Sequence, residues 1–317
     1  MPDLVTFGET MLRLSPPGDT PIETADSFDV HAAGAESNVA AAAARLGADA
    51  AWLSKLPDSP PGRRVTGALR RHGVEPAVVW TDDGRQGTYY LESGDQPRGA
   101  TVVYDRDHAA VRTATPDELA TDRVESASVF HTTGITPALS DTLARTTGDL
   151  LTLAREAGTT TTFDLNYRSK LWEPAEARET LTDLFPHVDV LVVAERDAET
   201  VLGLSGPADE QARHLAGEYD FQTTIVTTGS EGVVALHDGE LLEQPAFTAG
   251  DSHPVGTGDA FVGGYLAKRL QDGTVADALT YGAATAALKR TIPGDVAVVT
   301  PAAVDRVVAG DDTDISR

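Results

Sequence analysis

Short apolar segments alternate with segments of helical periodicity along most of this chain. The apolar segments are rich in β-branched residues and lie at residues 4–7, 51–53, 77–80, 129–131, 160–165, 188–193 and 224–227. The helical patterns lie at residues 63–72, 138–157, 174–184, 258–270, 275–288 and 301–308. Because short, uniformly apolar strands are typical of sheets covered on both faces, the alternation predicts an α/β fold: a doubly wound, mostly parallel sheet with helices on both faces.

One region departs from this alternation. Residues 86–92 and 100–106 have the pattern of paired strands, with polar residues on one side and no crossover helix between them. With part of the Pro- and Asp-rich stretch near the N-terminus, they predict a small antiparallel β flap, or lid, formed by about residues 9–33 and 85–108. No Pro/Ser-rich linker interrupts the chain, so residues 1–317 are expected to form a single domain into which the lid is inserted.

A turn containing Gly34 precedes an alanine-rich helical pattern near the N-terminus. The sequence Ala-Gly-Ala-Glu-Ser-Asn at 33–38 leads into a stretch of alanines that finishes with Arg-Leu-Gly. Ser37 or Asn38 is expected to cap this helix and Gly47 to end it. At the other end of the chain, the acidic tail from residue 310 is expected to be disordered.

The chain is strongly acidic and contains no cysteine. Its 49 acidic and 25 basic residues give a formal net charge of −24. Such a surface argues against nucleic acid as a partner, because phosphate binding needs a basic face, and it disfavours an anionic membrane surface. The absence of thiols excludes disulfides and thiolate zinc sites. No run of ~18 apolar residues is present and the N-terminal segment lacks a signal-peptide pattern, so a cytoplasmic protein is expected.

The basic residues are mostly arginines. The only lysines are Lys55, Lys170, Lys268 and Lys289. An acidic surface poor in lysine is suited to a cytosol of very high salt, where charges are screened within ~3 Å and self-repulsion is tolerable. We therefore expect a halophilic background, with a merely acidic protein of ordinary salt as the alternative.

The segment most informative for chemistry is a glycine-rich turn that opens a late helix. Gly256-Thr257-Gly258 is followed by Asp259 and an apolar helical pattern. Glycines let bare backbone approach a ligand, and the free N–H groups of a helix start attract anions. Asp259 is either an acid favoured there by the helix dipole or a base that deprotonates a hydroxyl facing a phosphoryl group. The turn matches neither a Walker loop nor a dinucleotide fingerprint, because no lysine follows it and it lies late in the chain.

This segment resembles the C-terminal signature of the ribokinase/PfkB family of carbohydrate kinases, and residues 33–47 resemble the N-terminal signature of that family. The two signatures stand in the family's order, and the resemblance covers residues 3–308. Segments at 133–140, 164–168 and 293–295 resemble 2-keto-3-deoxygluconate kinases in particular. Kinases of the ketohexokinase and fructokinase types share some of these segments.

The resemblance implies a role for each matching residue. Asp259 would be the catalytic base, and Gly256, Thr257 and Gly258 would form an anion hole for the transferring phosphoryl group. Arg168 favours an acid sugar as substrate, because a guanidinium fork suits a planar carboxylate. Substrate contacts are implied for Gly34, Asn38, Tyr89, Tyr104, Arg106, Arg168, Asp259 and Asp295. Contacts to ATP are implied for Asn166, Arg168, Thr227, Gly229, Ser230, Gly232, Gly256, Gly258 and Ala283.

The chain departs from the family's pattern at three places. His253 stands where the family usually has an acid, with Asp251 as a candidate replacement. The family's Asn-x-x-Glu element, which orders water around Mg²⁺, corresponds to residues 194–197, where Asp197 is the candidate acid for the metal through water. Thr227 stands where some relatives have a lysine. These departures affect the expected details of metal binding, whereas Asp259 and the glycine-rich turn before it match the family's pattern.

Structural interpretations stand beside these roles. Tyr89 and Tyr104 could be lid core or a dimer contact, and Arg168 with Asp295 could form a surface ion pair of little energy. His131, on an apolar strand, is expected to be a core residue, and the histidines show no metal-ligand spacing.

The resemblance implies an ATP-dependent kinase that phosphorylates the terminal hydroxyl of 2-keto-3-deoxygluconate or its galactonate epimer. A fructokinase or ketohexokinase is the alternative within the family, and a non-catalytic sugar or nucleoside sensor is the alternative from another class. ATP and Mg²⁺ are the implied cofactors, and K⁺ is a further candidate beside the anion-hole loop. Half-exposed tyrosines on the lid predict a homodimer or larger homo-oligomer formed through it.

Overall fold

The computed structural model describes residues 1–94, 97–250 and 253–310. The tail beyond residue 310, expected to be disordered, lies outside the described residues, and so does Asp251. Within the described ranges, no helix has the length and apolar content needed to cross a membrane.

The described elements alternate along the chain much as the hydrophobic pattern predicts. The strands are β1 (Leu4–Phe7), β2 (Met11–Ser15), β3 (Asp29–Ala33), β4 (Ala50–Pro57), β5 (Glu75–Thr81), β6 (Thr88–Glu92), β7 (Thr101–Asp105), β8 (Val129–Thr133), β9 (Thr160–Asp164), β10 (Val190–Ala194), β11 (Thr223–Thr227), β12 (Gly232–His237) and β13 (Glu240–Pro245). The helices are α1 (Ala35–Arg45), α2 (Pro60–Arg70), α3 (Thr121–Ser126), α4 (Asp141–Ala157), α5 (Pro174–Leu184), α6 (Glu195–Asp197), α7 (Ala208–Glu218), α8 (Thr257–Arg269), α9 (Val275–Lys289) and α10 (Pro301–Ala309). Each of the predicted apolar strands overlaps an observed one.

A nine-stranded sheet lies between two layers of helices. Its order is β13-β12-β11-β10-β9-β8-β1-β4-β5, and it is parallel from β11 to β5 and antiparallel at β12 and β13. Successive residues of β1 face opposite sides: Leu4 belongs to the apolar core that includes residues of α1, α8 and α9, whereas Val5 belongs to the core that includes residues of α4, α5 and α7. This arrangement confirms the α/β fold with a doubly wound, mostly parallel sheet.

The β12–β13 hairpin was not among the sequence predictions. Its turn is Asp238-Gly239, with φ of 49° and 79° at the two residues. Two consecutive left-handed residues match the turn that suits a twisted hairpin, for which Asp-Gly is a preferred sequence. The Asp-Gly dipeptide between two apolar runs could therefore have been used to predict this hairpin from the sequence.

A separate four-stranded sheet forms the lid, in the order β3-β2-β6-β7. Its outer pairs are antiparallel as predicted, but the central pair, β2 with β6, is parallel. The parallel pairing arises because the chain passes through α1, β4, α2 and β5 of the main layers between these two strands. All four strands of the lid lie within the predicted ranges 9–33 and 85–108. That residues 1–317 form a single domain stays a prediction.

Two helix starts differ from the sequence predictions. Gly34, not Ser37 or Asn38, is the N-cap of α1, and the Ser37 hydroxyl donates back to the Gly34 carbonyl at 3.0 Å. A Cβ at Gly34 would overlap with the carbonyl oxygen of Glu9, so the helix begins where only glycine fits. Helix α4 begins at Asp141 rather than residue 138, because Ser140 caps it by accepting a bond from the Leu143 N–H at 3.1 Å.

Candidate active site

Two cavities of about 540 Å³ each meet at the carboxyl ends of the central parallel strands, where open α/β sheets bind ligands. The first lies between the lid and the main sheet. The second lies between the loop after β11, the start of α8 and the side of α9. Their common wall consists of Ala194, Arg196, Thr227, Pro254, Thr257, Gly258 and Phe261.

The residues to which the family resemblance gives a site role all line one of these cavities. The first cavity contains Gly34, Asn38, Tyr89, Tyr104, Arg106, Asn166, Arg168, Asp197, Gly256, Asp259 and Asp295. The second contains Gly229, Ser230, Gly232 and Ala283, and Thr227, Thr257 and Gly258 line both. Residues far apart in the sequence therefore meet in one cleft, although their individual roles stay predictions.

The turn before α8 depends on Gly256. Its φ is 81°, in the left-handed region, and a Cβ there would overlap with the carbonyl oxygen of Asp295. The N–H and hydroxyl of Thr257 both donate to the Pro254 carbonyl, at 3.2 and 2.7 Å. The backbone N–H groups of Gly256, Gly258 and Asp259 have no acceptor among the described residues. Of the three residues predicted for the anion hole, Gly256 and Gly258 keep free amides, whereas the Thr257 amide is occupied by the protein itself and the Asp259 amide is free in its place.

Asp259 faces the first cavity from the first turn of α8. Its Oδ2 accepts a hydrogen bond from Asn38 Nδ2 at 2.7 Å. Burial raises the pKa of Asp259 to about 6, while the Asn38 bond and the Arg168 charge oppose that rise. An acid whose pKa lies just below neutrality is ionised near pH 7 yet remains a competent proton acceptor.

Two further carboxyl groups, those of Asp164 and Asp197, line the first cavity. Burial raises the pKa of Asp164, at the end of β9, to about 8, and the negative charges of Asp259 and Asp197 contribute. Asp197 is held by the Tyr167 N–H, which donates to Oδ2 at 3.2 Å, and burial raises its pKa as well. The Asn166 side-chain amide donates to Asp164 at 3.4 Å from a left-handed backbone conformation, with φ of 44°.

Two charged residues that pair with predicted site residues, Arg13 and Glu9, were not predicted from the sequence. Arg13 of β2 donates to Asp295 Oδ1 at 3.0 Å, so Asp295 belongs to a buried pair rather than to a surface pair with Arg168. Arg106 is likewise paired with buried Glu9. A charged residue in an alternating strand is normally assigned to the solvent face, and only the fold shows that the face is internal.

Glu36 is a second missed acid, buried in the first turn of α1. Its Oε1 accepts hydrogen bonds from the hydroxyls of Thr133 and Thr136, at 2.8 and 2.7 Å. Burial raises its pKa to about 7, against the effect of these hydroxyls. An acid within a helical segment that otherwise consists largely of small apolar residues could have indicated this buried position from the sequence.

The structural interpretation of His131 is confirmed. Its side chain is fully buried on β8, and its Nδ1 lies 2.8 Å from the Thr162 hydroxyl. Burial lowers its pKa to about 3, so the ring is neutral. It contributes to the core rather than to the cleft.

The chain is similar to known proteins over almost its whole length. The model of the pfkB family carbohydrate kinases matches residues 1–302. The chain is 61% identical over 315 residues to the 2-dehydro-3-deoxygalactonokinase of Haloferax volcanii, covering 99% of each chain. It is 31% identical over 299 residues to the 2-dehydro-3-deoxygluconokinase of Thermoproteus tenax, covering 93% and 90%.

A solved structure agrees with these matches. The crystal structure of the 2-dehydro-3-deoxygluconokinase of Thermotoga maritima superposes with a TM-score of 0.91 and 35% identity, covering 97% of this chain and 98% of that one. The extent of the matches and the fold agree with the two signatures at Gly34 and Gly256. The chain therefore belongs to the pfkB family of carbohydrate kinases, phosphotransferases that act on a sugar hydroxyl.

Proposed function

We propose that this kinase transfers the γ-phosphoryl group of ATP to the terminal hydroxyl of a 2-keto-3-deoxy sugar acid. The observation that supports an acid substrate is Arg168. Of the arginines lining the first cavity, Arg106 is paired with Glu9 and Arg196 lies 3.3 Å from an oxygen of Asp197. Among the described residues, no carboxylate lies within 4.0 Å of the Arg168 guanidinium. A planar donor fork open to the cavity suits a substrate carboxylate.

In this mechanism Asp259 accepts the proton of the attacking hydroxyl, and the N–H groups of Gly258 and Asp259 stabilise charge on the transferring group. The lid excludes water that would otherwise take the phosphoryl group. Lys170 links the lid to the main body, since its Nζ donates to the Val102 carbonyl at 2.6 Å. The sugar occupies the first cavity and ATP the second, so their reacting ends meet at the common wall beside Gly258.

The residues near the common wall are suited to Mg²⁺ carried by ATP. Asp164 and Asp197 are oxygen donors whose pKa values are raised by burial. The negative charges of Asp259 and Asp197 raise the pKa of Asp164 further, and a divalent cation would relieve that repulsion. Among the described residues no cluster of three or more metal-ligating side chains occurs. Mg²⁺ would neutralise phosphate charge, and Asp197 would hold it through water.

Two substrates of this class are the galactonate and gluconate epimers, and the relative at 61% identity favours the galactonate epimer. A fructokinase is the alternative, since the chain is also 28% identical to fructokinase-1 of Zea mays over 271 residues. A direct assay of ADP and phosphorylated product with both sugar acids and fructose decides between them. Faster turnover of fructose than of either acid contradicts the proposal, and turnover of none of them favours a sensor.

The remaining parts of the proposal concern the salt concentration to which the protein is adapted and its oligomeric state. Its acidic, lysine-poor surface favours a cytoplasm of high salt, and exposed Val103 on the outer side of the lid favours a homodimer formed there. Light scattering of the wild type and Val103→Asp tests the dimer, and thermal unfolding of the wild type at ~0.1 and ~1 M KCl tests the salt adaptation. A monomer under all conditions argues against the dimer, and equal stability at both salt concentrations argues against salt adaptation. Free K⁺ beside the anion-hole loop is a candidate from the sequence, and the contacts of Lys289 described below favour a different source of that charge.

The pH dependence of the reaction is expected to follow Asp259. Its pKa of about 6 means that kcat/KM falls as the pH drops through 6, approaching about tenfold per unit, because the protonated acid cannot accept a proton. Glu36→Gln serves as the control, since Glu36 also has a raised pKa and an amide oxygen can still accept from Thr133 and Thr136. The acid limb should persist in this variant, and its loss would assign the limb to Glu36 instead.

A further inference from the structure

Lys289, the last residue of α9, is fully buried. Its Nζ donates to the backbone carbonyls of Ile292 and His253, at 3.0 and 3.3 Å. Within the described residues, no carboxylate lies within 4.0 Å of this ammonium group. Lysine is almost never fully buried unless it is paired, and here its charge is satisfied by carbonyl dipoles alone. Such an arrangement is costly and calls for a specific reason.

The two carbonyls belong to the loops that build the cleft. His253 immediately precedes the turn that carries Gly256 and Asp259, and its N–H donates to the Arg290 carbonyl at 3.1 Å. Ile292 precedes the turn that carries Asp295. These loops touch directly, since the backbone of Gly256 packs on the carbonyl of Asp295 without room for a Cβ. The ammonium therefore ties together the loop with the base and the loop with the far end of the sugar cavity.

A simpler interpretation is a lysine that completes the end of its own helix. Cations in the last turn do stabilise helices through the dipole. The acceptors of Lys289, however, are loop carbonyls: His253 precedes α8 and Ile292 follows α9. The helix end thus does not account for the contacts.

The charge also acts on the cleft over a longer distance. Burial lowers the pKa of Lys289, while the charges of Asp295 and Asp259 act in the opposite direction. In turn, the positive charge of Lys289 opposes the rise in the pKa of both acids. The positive charge is thus buried against the loop that leads into α8, where its effect on the two acids is weakly screened.

We propose that Lys289 is a positioning residue that acts as a permanently tethered monovalent cation for the anion-hole loop. A pair of converging backbone carbonyls beside buried acids is an environment that suits a free K⁺ or NH₄⁺ ion, and the lysine side chain supplies the same single charge covalently. The inference rests on the proposed kinase function. It implies that turnover by the wild-type enzyme does not depend on a free monovalent cation.

The test compares two substitutions that differ in the space they leave. Lys289→Ala opens a cavity that a small cation can enter, whereas Lys289→Met fills it with an uncharged chain. Lys268→Met is the matched control, because that lysine lies on α8 outside both cavities, over the ring of Tyr281. Turnover is measured by chromatography of ADP, in tetramethylammonium chloride alone and with NH₄Cl or KCl added. Circular dichroism and thermal unfolding establish that each variant is folded.

We expect both Lys289 variants to lose at least about tenfold in kcat, less than the ~10²–10³-fold seen when a direct oxyanion donor is removed, with a smaller change in KM for ATP. NH₄⁺ or K⁺ restores several-fold activity to Lys289→Ala but not to Lys289→Met, the wild type or Lys268→Met. Wild-type kcat in Lys289→Met, or a folded Lys289→Ala that no cation restores, overturns the inference. A wild type that itself requires K⁺ also overturns it.

A second measurement separates this inference from the function on which it rests. If the wild type phosphorylates none of the sugars, the proposed function fails, and amide hydrogen exchange then tests Lys289 without turnover. Residues 253–258 and 290–296 should exchange faster in Lys289→Met than in the wild type, with no change in Lys268→Met. Equal exchange in all three proteins contradicts the positioning role.

Discussion

Asp259→Asn is expected to lower kcat by about 10²–10⁴-fold while ATP affinity stays within about twofold of the wild type. The substitution removes the proton acceptor but keeps the size of the side chain. The hydrogen bond to Asn38 can also be kept, because Asn38 Oδ1 is buried without a partner and its amide can reverse to accept from the new group. Steady-state turnover and calorimetric ATP binding provide the two measurements.

Asp277→Asn is the matched control for this prediction. Asp277 is also an acid in the first turn of a helix, where it forms a capping box with Thr274, but it lies outside both cavities. If Asp259 served only as a helix-start acid, the two variants would lose similar stability and keep similar turnover. A folded Asp259→Asn enzyme with wild-type kcat would remove the assigned base.

Arg168→Ala is expected to raise KM for the sugar acid by about 10- to 100-fold, with a much smaller effect on fructose. Charge-assisted hydrogen bonds contribute about 1.5–3 kcal/mol each, which corresponds to this range. Arg168→Lys should recover only part of the loss, because an ammonium group keeps the charge but not the planar fork. The comparison uses KM, or a calorimetric Kd where turnover of fructose is too slow.

Equal effects of Arg168→Ala on the acid and on fructose would contradict the role in binding a carboxylate. A loss confined to ATP affinity would instead assign Arg168 to the phosphates, the other role that the family resemblance implies. The pH profile of kcat/KM for Arg168→Ala tests independently whether Arg168 lies close to Asp259. Because Arg168 opposes the rise in the pKa of Asp259, its removal should move the acid limb to higher pH.

The alternation of elements and the two glycine-rich turns could be predicted because both depend on local sequence. The strands around Val192 are continuous apolar runs, and the turn at Gly256 requires a residue that tolerates a left-handed backbone. These local signals were enough to place Asp259 at a helix start beside free amides. They also identified the lid strands, although not the parallel pairing of β2 with β6.

The charged partners of the cleft could not be predicted because they depend on contacts distant in sequence. Arg13 and Asp295 are 282 residues apart, and neither position alone indicates burial. Asp164 ends a strand, a common position for an acid, and only the approach of Asp197 and Asp259 raises its pKa to about 8. Lys289 resembles an ordinary lysine in the last turn of a helix until the loops around it are in place.

The long separation between partners has a consequence for how the enzyme comes into being on the ribosome. The hydrogen bond from Asn38 to Asp259 joins positions 221 residues apart, and the Arg13–Asp295 pair joins β2 to a segment close to α10. A nascent chain halted before α8 already contains every strand of the lid, yet neither the acid nor the amides that face it. Activity therefore arises only after almost the whole polypeptide has been synthesised, and the unfinished chain holds open apolar surfaces that α8 and α9 later cover.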